Sequence, residues 1–120
     1  MKETSITLQE ALDKLVGNRL ASVEFVQDYV QLHFDGPTLT AFTHPEIYLA
    51  SNTFSWGDSA YRDGVCRQIG SRVTSAVYKP VGVSIHFESG ASLSISLKDE
   101  DYLGPEALQF SLGDARTWVA

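Results

Sequence analysis

Cysteine is nearly absent from this 120-residue chain: Cys66 stands alone. That excludes an internal disulfide and any zinc cluster built on several thiolates. Cys66 falls in a helical pattern, where the expectation is a buried thiol acting as a small hydrophobe. Positive charge is also scarce, with nine Lys and Arg against fifteen Asp and Glu, a net charge of −6 and no basic run. Nucleic acids and anionic membranes need a positive field to offset phosphate repulsion, so neither is an expected partner; the acidic surface is compatible with a basic protein partner or with solubility alone. No apolar run approaches the roughly 18 residues of a bilayer span, and Met1 to Ser5 lacks the apolar core of a signal peptide, which together predict a cytoplasmic protein. Gly-x-Ser-x-Gly, P-loop, Gly-x-Gly-x-x-Gly and His-Glu-x-x-His patterns are missing as well. No cofactor, no resident metal and no catalytic residue is therefore assigned.

What the chain does contain is the same half-unit twice. Gly17, Arg19, Ser22, Val30, His33 and Phe34 recur 53 positions on as Gly70, Arg72, Ser75, Val83, His86 and Phe87. The turns that follow are Phe34-Asp35-Gly36 and Phe87-Glu88-Ser89-Gly90, so the second is one residue longer. A looser echo matches His44-Pro45-Glu46 and Trp56 with Gly104-Pro105-Glu106 and Trp118. Half of such a chain is too short to bury a stable core alone, so residues 1–120 read as one domain whose half-repeats, 7–57 and 58–120, share their core.

Thr7-Leu8-Gln9-Glu10 is a capping-box pattern that starts a helix carrying Leu8, Leu12, Leu15 and Val16 on its apolar side and ending at Gly17. A second helix is expected from a cap at Asp58 or Ser59 to Gly70, with Tyr61, Val65 and Ile69 inward. Leu20 to Val26 and Val73 to Tyr78 are β-rich. Val30, Leu32 and Phe34, and Val83, Ile85 and Phe87, alternate with polar residues as half-buried strands, and hairpins return through Leu39 to Thr43 and Leu93 to Leu97. Glu46 to Trp56 reads as a further short hairpin around Ser51-Asn52. Lys98 to Asp101 reads as a solvated loop, Gly104 to Ala107 as the start of a helical turn, and Thr117 to Val119 as an edge strand. The predicted fold is α+β: two α-β-β-β half-repeats sharing one mainly antiparallel sheet of six to eight strands with two short helices.

Asp28 to Gly36, Trp56-Gly57-Asp58 with Tyr61-Arg62-Asp63, and Gly104 to Ala107 together resemble small single-domain bacterial proteins of uncharacterised function. That resemblance implies a bacterial cytosolic origin and no activity.

Seven residues, His33, His86, Arg19, Arg72, Tyr48, Phe54 and Trp56, are candidates for binding a ligand or partner, and His44 is weighed beside them. His33 and His86 occupy equivalent outward positions; if the two strands adjoin, they form a site for a metal or a proton relay, and otherwise they are ordinary strand residues. His44, ahead of Pro45, is either a third ligand or a loop residue. Arg19 and Arg72, just past the helix-ending glycines, either satisfy terminal carbonyls or form a twofold anion clamp. Tyr48, Phe54 and Trp56 either line a pocket or cover the core. The leading expectation is a non-catalytic protein-binding module, immunity-like or accessory, present as a monomer or homodimer. The alternative is a metal-dependent or small-ligand-binding protein, or an enzyme, built on the His33/His86 pair.

Overall fold

The computed structural model describes residues 6–114 and 116–120. Met1 to Ser5, which entered the reading of the N-terminus, lies outside the described residues. In chain order the elements are α1 (Leu8–Asp13), β1 (Leu20–Val26), β2 (Tyr29–Phe34), β3 (Thr38–Ala41), β4 (Glu46–Leu49), β5 (Asn52–Phe54), α2 (Tyr61–Cys66), β6 (Val73–Lys79), β7 (Gly82–Phe87), β8 (Ser92–Ser96), a 3-10 turn at Asp99–Asp101, β9 (Leu108–Ser111) and β10 (Thr117–Val119). The protein is mostly β with two short helices.

Local chemistry accounts for several of these elements directly. The capping box forms as read: Thr7 Oγ1 accepts from the Glu10 amide at 3.1 Å, and Glu10 Oε1 accepts from the Thr7 amide at 2.8 Å. β2 and β7 alternate as expected, with Val30, Leu32, Phe34, Val83, Ile85 and Phe87 all buried. The β4–β5 hairpin closes through Ala50 and Ser51, both at positive φ (52° and 68°), the left-handed pair that a two-residue type I′ turn requires. α2 differs from expectation at its start. Its cap residue is Ala60 without a side-chain bond, because Asp58 turns back to accept from the Ser55 amide at 2.7 Å.

The expectation of one shared sheet is corrected to two separate five-stranded antiparallel sheets, ordered β1-β2-β3-β9-β10 and β5-β4-β8-β7-β6. Each sheet takes three strands from its own half and a hairpin from the other: β9–β10 adds to β3, and β4–β5 adds to β8. The two orders are the same under exchange of halves. Among the described residues the isolated β-bridge between the halves is the antiparallel one from Arg19 to Arg72. Just beyond it β1 shifts register between Leu20 and Ser22, and β6 between Val73 and Ser75. Such bulges bend the strands, so β1 and β6 diverge after one bridge instead of merging their sheets.

One hydrophobic cluster nonetheless draws on both sheets and both helices, including Leu12, Leu20, Leu32, Tyr61, Ile85, Leu93 and Phe110. Three residues expected inside it lie outside. Val16 (49% exposed) and Ile69 (45% exposed) sit beyond the helical segments in turns that roll away from the core, and Cys66 is exposed at the end of α2. The tail also differs from the reading, since Gly104 to Glu106 leads into β9 instead of opening a helix. The tryptophan echo is displaced too. Trp118 pairs with Phe110 on β9 as Phe54 pairs with Ile47 on β4, so Phe54, not Trp56, is the counterpart of Trp118.

Because each sheet contains strands of both halves, the two are expected to unfold together. Trp56→Phe leaves Trp118 reporting on the first sheet, and Trp118→Phe leaves Trp56 reporting on the second. Fluorescence melts of the two variants, each compared with its own far-ultraviolet circular dichroism, should give coincident transitions. Separate midpoints for fluorescence and dichroism within one variant would show that the sheets melt independently.

Candidate functional site

On the outer side of the second sheet, residues alternate with the buried Val83, Ile85, Leu93, Ile95 and Ile47 and are therefore turned from the core. Ser84 and Ser94 face each other across β7 and β8, Ser94 faces Glu46 on β4, and Gly82 faces Ser96. These groups floor a cleft of about 630 Å³ whose rim includes Lys79, Val81, Lys98, Asp101, Leu103 and His44.

The cleft exists on this sheet because of two substitutions between the half-repeats. Gly82 occupies the position of Tyr29, and Ser96 the position of Phe42. In the first half the two rings lie 5.7 Å apart and cover the corresponding end of their sheet. A smaller hollow of about 320 Å³ remains there, between Asp28, Phe42 and the Leu103 to Glu106 segment. In the second half no ring stands at either position. Gly82 is constrained further, since a Cβ there would lie 2.9 Å from the Ile95 carbonyl oxygen.

The β4 end of the cleft is built by three consecutive anchors. Thr43, buried, donates through Oγ1 to the Ser96 carbonyl at 3.0 Å. His44 stacks on Trp56 with centroids 3.8 Å apart and planes 8° from parallel. The Pro45 carbonyl accepts from the Tyr61 hydroxyl at 2.6 Å. Tyr61 is fully buried, and Arg62 beside it lays its guanidinium over Trp56 (5.2 Å to the centroid) and Phe25 (5.5 Å). So held, His44 lines the cleft with its Nε2 buried and without a hydrogen-bond partner among the described residues. Glu46 is steadied by Ser55, whose hydroxyl donates to Oε2 at 3.0 Å. On the rim, Ser96 Oγ donates to Asp101 Oδ2 at 2.6 Å and accepts from the Lys98 amide at 3.1 Å.

The residues singled out from sequence fall in several places. His33 is on β2 of the first sheet, with Nε2 3.4 Å from Glu24 Oε1 and Nδ1 3.3 Å from Thr38 Oγ1. His86 is exposed on β7 of the second sheet, opposite Ser75 and Ser92. The strands that carry them do not adjoin, and no group of three or more His, Cys, Asp or Glu among the described residues is arranged to hold a metal ion. Arg72 Nη1 donates to the Gly17 carbonyl at 3.1 Å, the carbonyl-satisfying role, with Arg19 facing it across the bridge. Phe54 and Trp56 pack partly buried against the core, while Tyr48 is 47% exposed on the outer side of β4. Sequence reasoning missed Lys79, Gly82, Ser84, Ser94, Ser96, Lys98 and Asp101. The readable signal was the exchange of Tyr29 and Phe42 for Gly82 and Ser96 between otherwise matching strands.

Burial pushes the Tyr61 phenol above its ordinary range, the nearby Glu46 carboxylate adds to this, and the Arg62 guanidinium opposes it. A phenol held neutral in the fold ionises first in the unfolded chain, so the unfolded state binds fewer protons above about pH 10. The stability contributed by neutral Tyr61 is thus complete below pH 10 and is lost as pH rises further. Denaturant midpoints from pH 8 to 11 should fall more steeply in the parent protein than in Tyr61→Phe. The variant should be less stable by about 1–2 kcal/mol at pH 7 through loss of the bond to Pro45.

Among the described residues no helix is long and apolar enough to cross a membrane. Comparison of the chain with models of protein families, with curated proteins and with solved structures found no match.

Proposed function

We propose that this protein is a non-catalytic binding module that receives its ligand in the cleft on the outer side of the second sheet. The observation that carries the reading is the broken repeat: an aromatic pair covers one sheet, and its counterpart is a glycine and a serine that leave a polar cleft. The size falls within the ~300–1,000 Å³ typical of ligand sites, and a few fixed polar groups converge on it. A non-catalytic role is supported by how the serines are used. Ser96 is tied to Asp101 and Lys98, and His44 Nε2 bonds to no serine, so these residues do not form the serine–histidine contact of a serine nucleophile.

The test is an amide NMR screen with polar fragments: amino acids, short peptides, monosaccharides, simple amines and carboxylates. Shifts should gather at His44, Ser84, Ser94 and Ser96. Ser94→Trp projects a ring into the cleft from an exposed strand position, where aromatic residues are well accepted. It should abolish those shifts while moving the melting temperature by less than about 4 °C, as expected of a surface substitution. If the fragments perturb other regions, or Ser94→Trp leaves the shifts intact, the cleft is not the binding site.

A further inference from the structure

Strand register fixes the order of groups along the cleft. Lys79 faces Gly82, and Gly82 faces Ser96. Extending the β8–β4 register, in which Ser94 faces Glu46, sets His44 opposite Ser96. On the neighbouring outward row come Ser84, Ser94 and Glu46. Crossing the sheet from β6 to β4, a ligand would meet an ammonium, then hydroxyls, then an imidazole and a carboxylate. The charged ends are three strand spacings apart across the sheet and two residues apart along it, a backbone separation of about 16 Å that the long Lys79 side chain can shorten. Lys98 and Asp101, one of each sign, also line the cleft, and the Asp101 carboxylate is taken up by the Ser96 hydroxyl.

This arrangement selects a class of ligand by length and by sign. A free amino acid carries its two charges within about one residue step, ~3.5 Å, and reaches only one end. Diamines and dicarboxylates match one end and are repelled by the other. A linear peptide of three or four residues spans ~10–14 Å, carries opposite charges at its ends, and presents amides to the hydroxyls between. Val81 and Leu103 on the rim, 60% and 67% exposed, offer apolar contact to its side chains.

Building on the cleft as the binding site, we propose that its ligand is a short linear peptide with free termini, lying across the strands with its carboxylate at Lys79 and its ammonium at Glu46. Ser84 and Ser94 bond its amides, and the His44 ring, held against Trp56, walls the cleft at the ammonium end.

The probes are trialanine and tetraalanine, each free, N-acetylated and C-amidated, titrated by amide NMR against the parent protein, Glu46→Gln, Lys79→Gln and His44→Phe. The free peptides should shift the signals of His44, Ser84, Ser94 and Ser96, and either block should weaken binding about 3- to 10-fold. Glu46→Gln should erase the penalty for acetylation and keep the penalty for amidation, and Lys79→Gln should do the reverse. His44→Phe retains a ring over Trp56 and replaces the imidazole wall of the cleft with an apolar one, so it should change the binding of all the peptides by a similar factor without altering the fold. Equal binding of free and blocked peptides would overturn the proposal and indicate recognition of an internal polypeptide segment. Fragments that shift the cleft while both peptides leave it unchanged would overturn it too, with the cleft still standing as a binding site. Silence of the cleft toward every probe would instead remove the binding reading on which the proposal rests.

Discussion

Four backbone hydrogen bonds around the Arg19–Arg72 bridge join the halves of this protein, and the remaining architecture depends on them. The Gly17 amide donates to the Val73 carbonyl and the Gly70 amide to the Leu20 carbonyl, each at 2.8 Å. Between them the Leu20 amide donates to Ser71 at 3.1 Å and the Val73 amide to Asn18 at 2.9 Å. The pairs are related by the same 53-residue displacement as the sequence repeat, so the junction has twofold character. Gly17 and Gly70 take φ near +90°, a left-handed conformation that ends each helical turn and turns the amide toward the opposite half. Arg72 adds a bond from its side chain to the Gly17 carbonyl. Exchange of the β4–β5 and β9–β10 hairpins then makes each sheet a product of both halves, and neither half can pair its own third strand fully without the other.

Within that near-symmetric frame, the informative positions are those where equivalent residues differ. Gln9 of α1 acts as a surrogate strand: its side-chain amide donates to the Ala76 carbonyl at 2.8 Å and accepts from the Tyr78 amide at 2.6 Å, covering the free edge of β6. Its counterpart is Arg62, which instead lies over Phe25 and Trp56. Leu15 is buried and apolar, whereas its counterpart Gln68 is buried and polar. Gln68 is satisfied through the Gly64 carbonyl at 3.2 Å and the Ser89 hydroxyl at 2.6 Å, the latter supplied by the longer second turn. A buried amide without such partners would be strongly destabilising, so the longer turn and the glutamine belong together.

The cleft follows the same logic. Covering a sheet end with Tyr29 and Phe42 buries aromatic area; substituting Gly82 and Ser96 gives up that burial and leaves polar groups turned outward. The rigidity of the site comes from elsewhere, through Thr43 on Ser96, His44 on Trp56 and Tyr61 on Pro45. These contacts connect α2, β4 and β8, and they fix His44 before any ligand arrives, which lowers the ordering cost of binding.

Elements whose causes are local are legible in the order of residues. The Thr7–Glu10 box set the start of α1, alternation at Val30 to Phe34 and Val83 to Phe87 set the central strands, and the 53-residue repeat announced two related halves. The sequence also contained the Tyr29 to Gly82 and Phe42 to Ser96 exchanges, whose meaning appears only once those residues are known to face each other. Tertiary structure alone decided that there are two sheets, because hairpin exchange is a long-range choice of pairing partner with no local signature. It decided that His33 and His86 stand on different sheets, since equivalence in a repeat fixes environment and not proximity. It also decided that Val16 and Ile69 face outward, because helical periodicity cannot foresee where each helix stops, and that Cys66 lies on the side of α2 away from Tyr61 and Val65. And it assembled the cleft from β4, β6, β7, β8 and the loop after β8, segments whose adjacency is created by the crossing of the two halves.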